Sequence, residues 1–171
     1  MTSVVLTVIG DDRPGLVSAL SAPIHAHGAS WERSQMARLA GKFAGILLVS
    51  VPEEELAALV EDLGSLADEG LHVVLERAGG SAPRPRQRLH LELLGSDHPG
   101  IVAEVSATLG ERGIGIEELS TDVREAPMAG GMLFEARALL DAPAVTSLEE
   151  LHSVLEELAD ELMVEIRLSD A

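Results

Sequence analysis

The chain has 171 residues, 46% of them hydrophobic, and a formal net charge of −17. Because this acidity repels phosphate backbones, we expect no direct binding of nucleic acid. The absence of cysteine excludes disulfide scaffolds, thiol catalysis and cysteine-based zinc sites. No apolar run reaches the roughly 20 residues that a membrane span needs, and no signal-peptide pattern is present, so we expect a soluble cytoplasmic protein without membrane contact.

The first half of the chain predicts the element order β-α-β-β-α-β. Val4–Ile9 is a continuous aliphatic run, typical of a strand buried on both faces. A helix begins near Pro14 and ends at Gly28, which can adopt the left-handed cap conformation. A hairpin with its turn at Ala40-Gly41, a second helix and a last strand complete the unit. The hairpin strands cover residues 30–38 and 42–51, and the last strand covers residues 71–77. The apolar stripe of the second helix is Leu56, Leu59, Val60, Leu63, Leu66 and Ala67.

The second half of the chain repeats the first. Between Leu6–Glu32 and Leu91–Glu117, ten of 27 aligned positions are identical without a gap. A duplication of this length, present only twice, indicates two small domains rather than a solenoid. The predicted strands cover residues 89–94, 115–124, 132–140 and 163–168, and the first helix covers 99–112.

The last predicted helix begins with a capping box. Thr146 or Ser147 can act as the N-cap, with Glu149 or Glu150 three residues further on. The hairpin turn of this half, Glu125 to Gly130, is longer than that of the first half.

The fold class follows from this order. We predict α+β architecture, with two ferredoxin-like βαββαβ units that each contain a four-stranded antiparallel sheet and two helices on one face. The first domain covers residues 1–78 and the second covers residues 89–171. Residues 79–88 form a linker rich in glycine, proline and arginine, whose three arginines we expect to be solvated.

The turn between the first strand and the first helix is the strongest candidate site in each unit. It reads Gly-Asp-Asp-Arg-Pro-Gly from Gly10 and Gly-Ser-Asp-His-Pro-Gly from Gly95. Such a turn collects backbone N–H groups at the positive end of a helix dipole, which suits a carboxylate. Two interpretations of its aspartates stay open: they cap the helix, or they accept a hydrogen bond from a ligand ammonium group. The candidate effector-binding residues are Asp12, Arg13, Pro14, Gly15 and Leu16, and Asp97, His98, Pro99, Gly100 and Ile101.

Catalytic groups are scarce in this sequence. The histidines lack the spacing of a metal motif, and Ser21 and Ser106 have no paired histidine. For His98, whose counterpart is Arg13, a shared cationic or surface role is preferred over anion binding. We therefore predict a protein that is not an enzyme and has no cofactor or metal site.

Both turns carry the signature of a known family. Asp12 to Val17 and Asp97 to Val102 match Asp-x-Pro-Gly-hydrophobic-Val, and Gly28 and Gly113 open similar stretches before the second strand. In these features the chain resembles a tandem ACT-domain protein. A stand-alone pair with Asp-Arg-Pro-Gly-Leu-Val in its first copy is similar to the glycine cleavage system transcriptional repressor group. The chain departs from many amino-acid-binding members in having aspartate where a turn asparagine is common, and Trp31 at a usually aliphatic position.

The resemblance implies a regulatory function. ACT domains bind amino acids or other small effectors at interfaces between domains and control an enzyme or a transcription factor. We expect a small effector such as glycine or serine, a protein partner and a homo-oligomer, and we expect edge strands to associate side by side between the units or between chains. The alternative is an effector-free module for protein interaction or oligomerisation, in which the turns are only structural.

Overall fold

The computed structural model describes residues 1–80, 82–128 and 130–171. The chain divides into two compact units, residues 1–81 and 82–171. The first unit contains β1 (Thr2–Asp11), α1 (Leu16–Ala26), β2 (Ser30–Leu39), β3 (Lys42–Val51), α2 (Leu56–Ser65) and β4 (Leu71–Arg77), with 3₁₀ turns at Glu53–Glu55 and Leu66–Glu69. The second unit contains β5 (Arg86–Ser96), α3 (Ile101–Glu111), β6 (Gly115–Glu125), β7 (Met132–Pro143), α4 (Leu148–Leu162) and β8 (Val164–Asp170).

Each unit is built on one four-stranded sheet. The strand orders are β2-β3-β1-β4 and β6-β7-β5-β8, and every pairing is antiparallel. The helices of each unit pack on one face of its sheet, which confirms the predicted ferredoxin-like βαββαβ fold. Both second strands carry a bulge near their start, at Trp31/Arg33 and at Ile116/Glu118.

The strand β1 is buried on one face, and the prediction of burial on both faces was wrong. Val4, Leu6 and Val8 are fully buried, but Thr7 is exposed and Ile9 is 51% exposed. The reason is architectural: both helices lie on the same side of the sheet, so alternate residues of even a central strand point away from the core.

Several local predictions are confirmed. Gly28 has a φ of +64°, as expected of a left-handed cap, and Ala40 and Gly41 both have positive φ in the hairpin turn. Ser147 is the N-cap of α4, and its side chain accepts a hydrogen bond from the Glu150 N–H at 3.3 Å.

Other boundaries differ from the prediction. Residues 86–88, assigned to the linker, are the first residues of β5 because they pair with β7. Glu125 belongs to β6, so the loop begins after it. Met163 ends α4 with a φ of +57° and does not belong to the last strand. Val60 is 45% exposed and stands outside the buried stripe of α2. Two residues, Ser81 of the predicted linker and Ala129 of the predicted turn, lie outside the described part of the chain.

Each sheet and its helices enclose a separate aliphatic core. In the first unit the fully buried leucines of β1, β3 and the helices pack together. In the second unit the small Ala136, Ala138 and Ala142 of β7 lie beneath the leucines of α3 and α4. In each unit, packing against the core fixes the strand and the helix on either side of the first turn, which are β1 and α1 in the first unit and β5 and α3 in the second.

Candidate functional site

The two turns have the same backbone geometry. Gly15 and Gly100 are the N-caps of α1 and α3, with φ of +88° and +98°. Each helix starts in the same way, with Ala19 N–H bonded to Gly15 O and Glu104 N–H bonded to Gly100 O at 2.9 Å. No atom lies within 4 Å of the Cβ that either glycine lacks, so the positive φ is the reason for glycine here. Pro14 and Pro99 lie just before the N-cap, outside the first helical turn.

The aspartates do not cap these helices, which removes that interpretation. Neither α1 nor α3 receives a side-chain hydrogen bond at its N-cap. Instead, the backbone N–H of Asp12 donates to Gly41 O at 2.9 Å, and that of Asp97 donates to Met132 O at 2.8 Å. These bonds extend each sheet by one step, and the N-cap glycines have no side chain that could accept from the first-turn N–H groups.

Both carboxylates are accessible at the turn. The Asp12 side chain is 31% exposed, and its Oδ2 lies 3.7 Å from Nη1 of Arg38 at the end of β2. Asp97 is exposed. An exposed carboxylate beside a helix N-terminus can accept a hydrogen bond from an ammonium group while the helix N–H groups face an anion.

The residue between aspartate and proline has a structural contact in both units. Arg13 Nη2 donates to Glu69 O at 2.9 Å, and His98 Nε2 lies 2.8 Å from Leu162 O. In each case the carbonyl belongs to the last residue of the helical segment before the final strand. An arginine in one unit and a histidine in the other therefore connect the turn to the C-terminal end of the helical segment before the last strand, where the helix dipole favours positive charge.

The pKa of His98 is raised above its ordinary value. The largest cause is the Leu162 carbonyl, followed by the Pro99 carbonyl at 3.1 Å from Nδ1, and Asp97 adds a smaller electrostatic contribution while burial acts in the opposite direction. Only the protonated ring can donate from both nitrogens. This contact is therefore strongest when His98 is charged.

The remaining residues of the two predicted sites are split between surface and core. Pro14, Gly15, Pro99 and Gly100 are exposed. Leu16 and Ile101 are each 3% exposed because their side chains belong to the two cores. These two residues can offer a ligand only their backbone groups.

The first glycine of each turn has a role that the sequence analysis did not assign. A Cβ on Gly10 would lie 2.6 Å from Gly70 O, and a Cβ on Gly95 would lie 2.5 Å from Val164 Cγ1. Both positions therefore need glycine because the entry to the last strand passes directly over them. Their identity in the repeat was the only sequence signal for this packing.

Beside the turn, the groove between the first helix and the second strand differs between the units. In the first unit Trp31 and Met36 pack against the core, and Trp31 Nε1 donates to Ser34 Oγ at 3.1 Å. In the second unit the groove contains a small apolar cavity of about 30 Å³, lined by residues that include Val102, Ile116 and Leu119. The two candidate sites thus have different apolar surroundings.

Residues 1–80, 82–128 and 130–171 contain neither a cluster of metal-ligating side chains nor a helix suited to crossing a membrane. No cluster of three or more histidine, aspartate or glutamate side chains in these ranges is arranged to hold a metal ion. Among the same residues, no helix combines the length and apolar character needed to cross a bilayer.

Comparison with known proteins agrees with this geometry. The family model described as the ACT domain matches residues 2–75. A UPF0237 protein of Methanopyrus kandleri is 35% identical over 79 residues, which cover 44% of this chain and 88% of that protein.

Solved structures extend the likeness to both units. The crystal structure of an unknown protein from Galdieria sulphuraria is 33% identical, with a TM-score of 0.89 and coverage of 99% of this chain and 98% of that one. The structure of a candidate glycine cleavage system transcriptional repressor has a TM-score of 0.71 at 18% identity, covering 98% of this chain and 96% of the other. The second likeness shows a shared fold. The chain therefore belongs to the ACT-domain family and carries two ACT-like units in tandem.

Proposed function

We propose that this chain is a non-catalytic regulatory protein that senses a small effector, an amino acid such as glycine or serine, at its two turns. The observation that carries the proposal is the duplicated helix start at Gly15 and Gly100, which has no side-chain cap in either copy. The first-turn N–H groups and the positive end of the dipole would bind the effector carboxylate. Asp12 and Asp97 would bind its ammonium group.

The other turn residues would shape the site and would not bind the effector with their side chains. Leu16 and Ile101 anchor the helix in the core and would contribute backbone N–H groups only. Arg13 and His98 are held by carbonyl oxygens of the second helical segment, and they would set the distance between the turn and that segment. The exposed prolines would restrict the turn before the effector arrives, which lowers the entropy lost on binding.

The proposed output is control of a partner transcription factor or metabolic enzyme. The ACT fold is a regulatory fold, and the net charge of −17 favours contact with a protein over contact with DNA. A sensor without catalytic groups must transmit occupancy through such a partner. The competing function is an effector-free interaction module, and binding measurements distinguish the two.

Isothermal titration calorimetry of the full chain with each common amino acid, beginning with glycine and serine, tests the proposal. We expect saturable heat with up to two sites per chain and a rise in melting temperature. The absence of both signals at millimolar concentrations for all amino acids would contradict the sensor function and favour the interaction module.

Paired glycine variants locate the site. Gly15→Val and Gly100→Val force a β-branched residue to a φ near +90° and should each remove one binding event. Gly64→Ala and Gly110→Ala are matched controls, because no atom lies within 4 Å of their added Cβ and both lie in helices. Circular dichroism checks that each variant is folded. Unchanged binding in a folded double variant would show that the turns are not the site.

A further inference from the structure

The face of the first sheet that points away from the helices is apolar at its centre. We define the open face as the side chains of β1–β4 on that side. Its centre lies on β1 and β3 and contains no ionisable group. The central residues are Val5, Thr7, Ile9, Ala44, Ile46 and Leu48. Ile9 and Ile46 are each 51% exposed, and Val74 on β4 is 57% exposed. A continuous exposed aliphatic patch of this kind indicates a docking surface.

The second unit supplies an internal comparison at the same positions. Four of its six central residues are ionisable, and Glu92 and Arg137 occupy the places of Thr7 and Ile46. The residues that match Val5, Thr7, Ile9, Ala44, Ile46 and Leu48 are, in that order, His90, Glu92, Leu94, Glu135, Arg137 and Leu139. The same fold in the same chain therefore tolerates a charged open face. The aliphatic face of the first unit is not required by the architecture.

Charged residues at the edges of the open face are placed in a self-complementary pattern. Four successive cross-strand partners lie side by side: Arg33 on β2, Leu48 on β3, Val5 on β1 and Glu76 on β4. These residues form one row across the sheet, with opposite charges at its two ends. A two-fold axis parallel to the strands, between β1 and β3, places Arg33 over the partner's Glu76 and Glu76 over the partner's Arg33.

The same axis also pairs large side chains with small ones. Ile9 and Ala44 are cross-strand neighbours, as are Thr7 and Ile46. After the two-fold rotation, Ile9 lies over the partner's Ala44, and Ile46 lies over the partner's Thr7. Large over small is the arrangement that lets two packed sheets interdigitate at a spacing of about 10 Å.

The area fits a weak, reversible contact. Four strands at a spacing of about 4.8 Å and the three rows of Val5, Thr7 and Ile9 at about 6.8 Å cover about 400 Å² for each copy. The pair would bury about 800 Å², which is in the range of weak, transient protein contacts. Because each chain carries a net charge of −17, this face with its uncharged centre is where two copies can approach with little repulsion.

We propose that the open face of the first sheet binds the same face of a second copy of this chain, around a two-fold axis parallel to the strands. This face-to-face dimer differs from pairing of edge strands, because the contact is formed by the face of the first sheet and not by the outer edges of β2 and β4. It does not depend on effector binding.

Sedimentation velocity of the full chain over a wide concentration range tests the dimer. The wild type is expected to dimerise. Ile46→Arg introduces the residue that the second unit already carries at this position as Arg137, so the fold should accept it, and it should weaken the dimer by about 100-fold or more because the charge is buried without a partner. Leu94→Glu places a charge on the open face of the second unit, at the position that matches Ile9, and should leave the dimer unchanged.

A charge-reversal pair tests the axis itself. Arg33→Glu faces the partner's Glu76 twice by symmetry and should weaken the dimer by about tenfold, whereas the double variant with Glu76→Arg should restore it. This pair also decides the question if Ile46→Arg is found unfolded by circular dichroism. The proposal would be overturned if the wild type stays monomeric at all concentrations, or if the dimer persists with Ile46→Arg. It would also be overturned if Leu94→Glu weakens the dimer as much as Ile46→Arg does, or if this face binds only another protein.

Discussion

The strongest stability prediction concerns Gly10, at the point where β1 enters the turn. We expect Gly10→Ala to destabilise the first unit, although alanine normally suits a strand better than glycine. A Cβ at this position would lie 2.6 Å from Gly70 O and 3.3 Å from Leu71 Cδ1. Because the oxygen belongs to the backbone, no side-chain rotation can relieve the contact.

The size of the effect follows from the distance. An ordinary contact begins at 3.4 Å, so the two atoms must separate by about 0.8 Å, the difference between 3.4 and 2.6 Å. This shift would pull the start of β4 away from β1, where Gly10 pairs with Leu71. Overpacking of this kind costs about 1–3 kcal/mol. With a urea dependence of about 1 kcal/mol per molar for a small domain, the midpoint should fall by about 1–3 M.

Urea unfolding followed by tryptophan fluorescence measures this change. The only tryptophan of the chain, Trp31, packs against the core of the first unit, so its emission reports on that unit. The matched control is Gly64→Ala in α2, which meets no atom within 4 Å and should raise the midpoint by up to about 1 M. A midpoint for Gly10→Ala equal to or above that of the wild type would refute the close-packing argument.

Two further predictions concern a histidine bridge and a helix cap. His27 lies 2.7 Å from both Glu55 Oε2 and Asp62 Oδ2, and these hydrogen bonds, with Glu55 the larger cause, raise its pKa. The stabilisation that protonated His27 gives the folded state is therefore complete below the unfolded pKa of about 6.5 and is lost as the pH rises through the folded pKa. In urea titrations, His27→Gln should lower the free energy of unfolding more at about pH 5.5 than at about pH 8.5. An equal loss at the two pH values would argue against the charged bridge. Ser147→Ala should cost about 1 kcal/mol in the thermal unfolding of α4 because the Glu150 N–H loses its acceptor, with Ser147→Asp as the conservative control that keeps the wild-type stability.

Local patterns in the sequence were sufficient to predict most of the fold. The duplicated turn, the glycines that end helices and the change between helical and alternating periods predicted both βαββαβ units, with Gly28 and Ser147 in the expected cap positions. These features act within a few residues, so one sequence reveals them. The boundaries that failed, such as residues 86–88 and Met163, depend on strand pairing or on a turn that periodicity does not register.

The candidate site was only partly predictable for the same reason. The sequence located the turns but left the aspartates as helix caps or ligand contacts, and only the backbone showed that Gly15 and Gly100 are the N-caps. Leu16 and Ile101 were expected at the site, but packing places their side chains in the cores.

By itself, then, the sequence determined the duplication, the order of elements, the acidic charge and the position of the two turns, because each is a local or compositional property. Tertiary structure decided which face of β1 meets solvent and what Arg13 and His98 contact. Those contacts join residues 56 and 64 positions apart. They exist because the strand order brings the final strand beside the first, and this placement depends on packing of the whole sheet rather than on any local pattern.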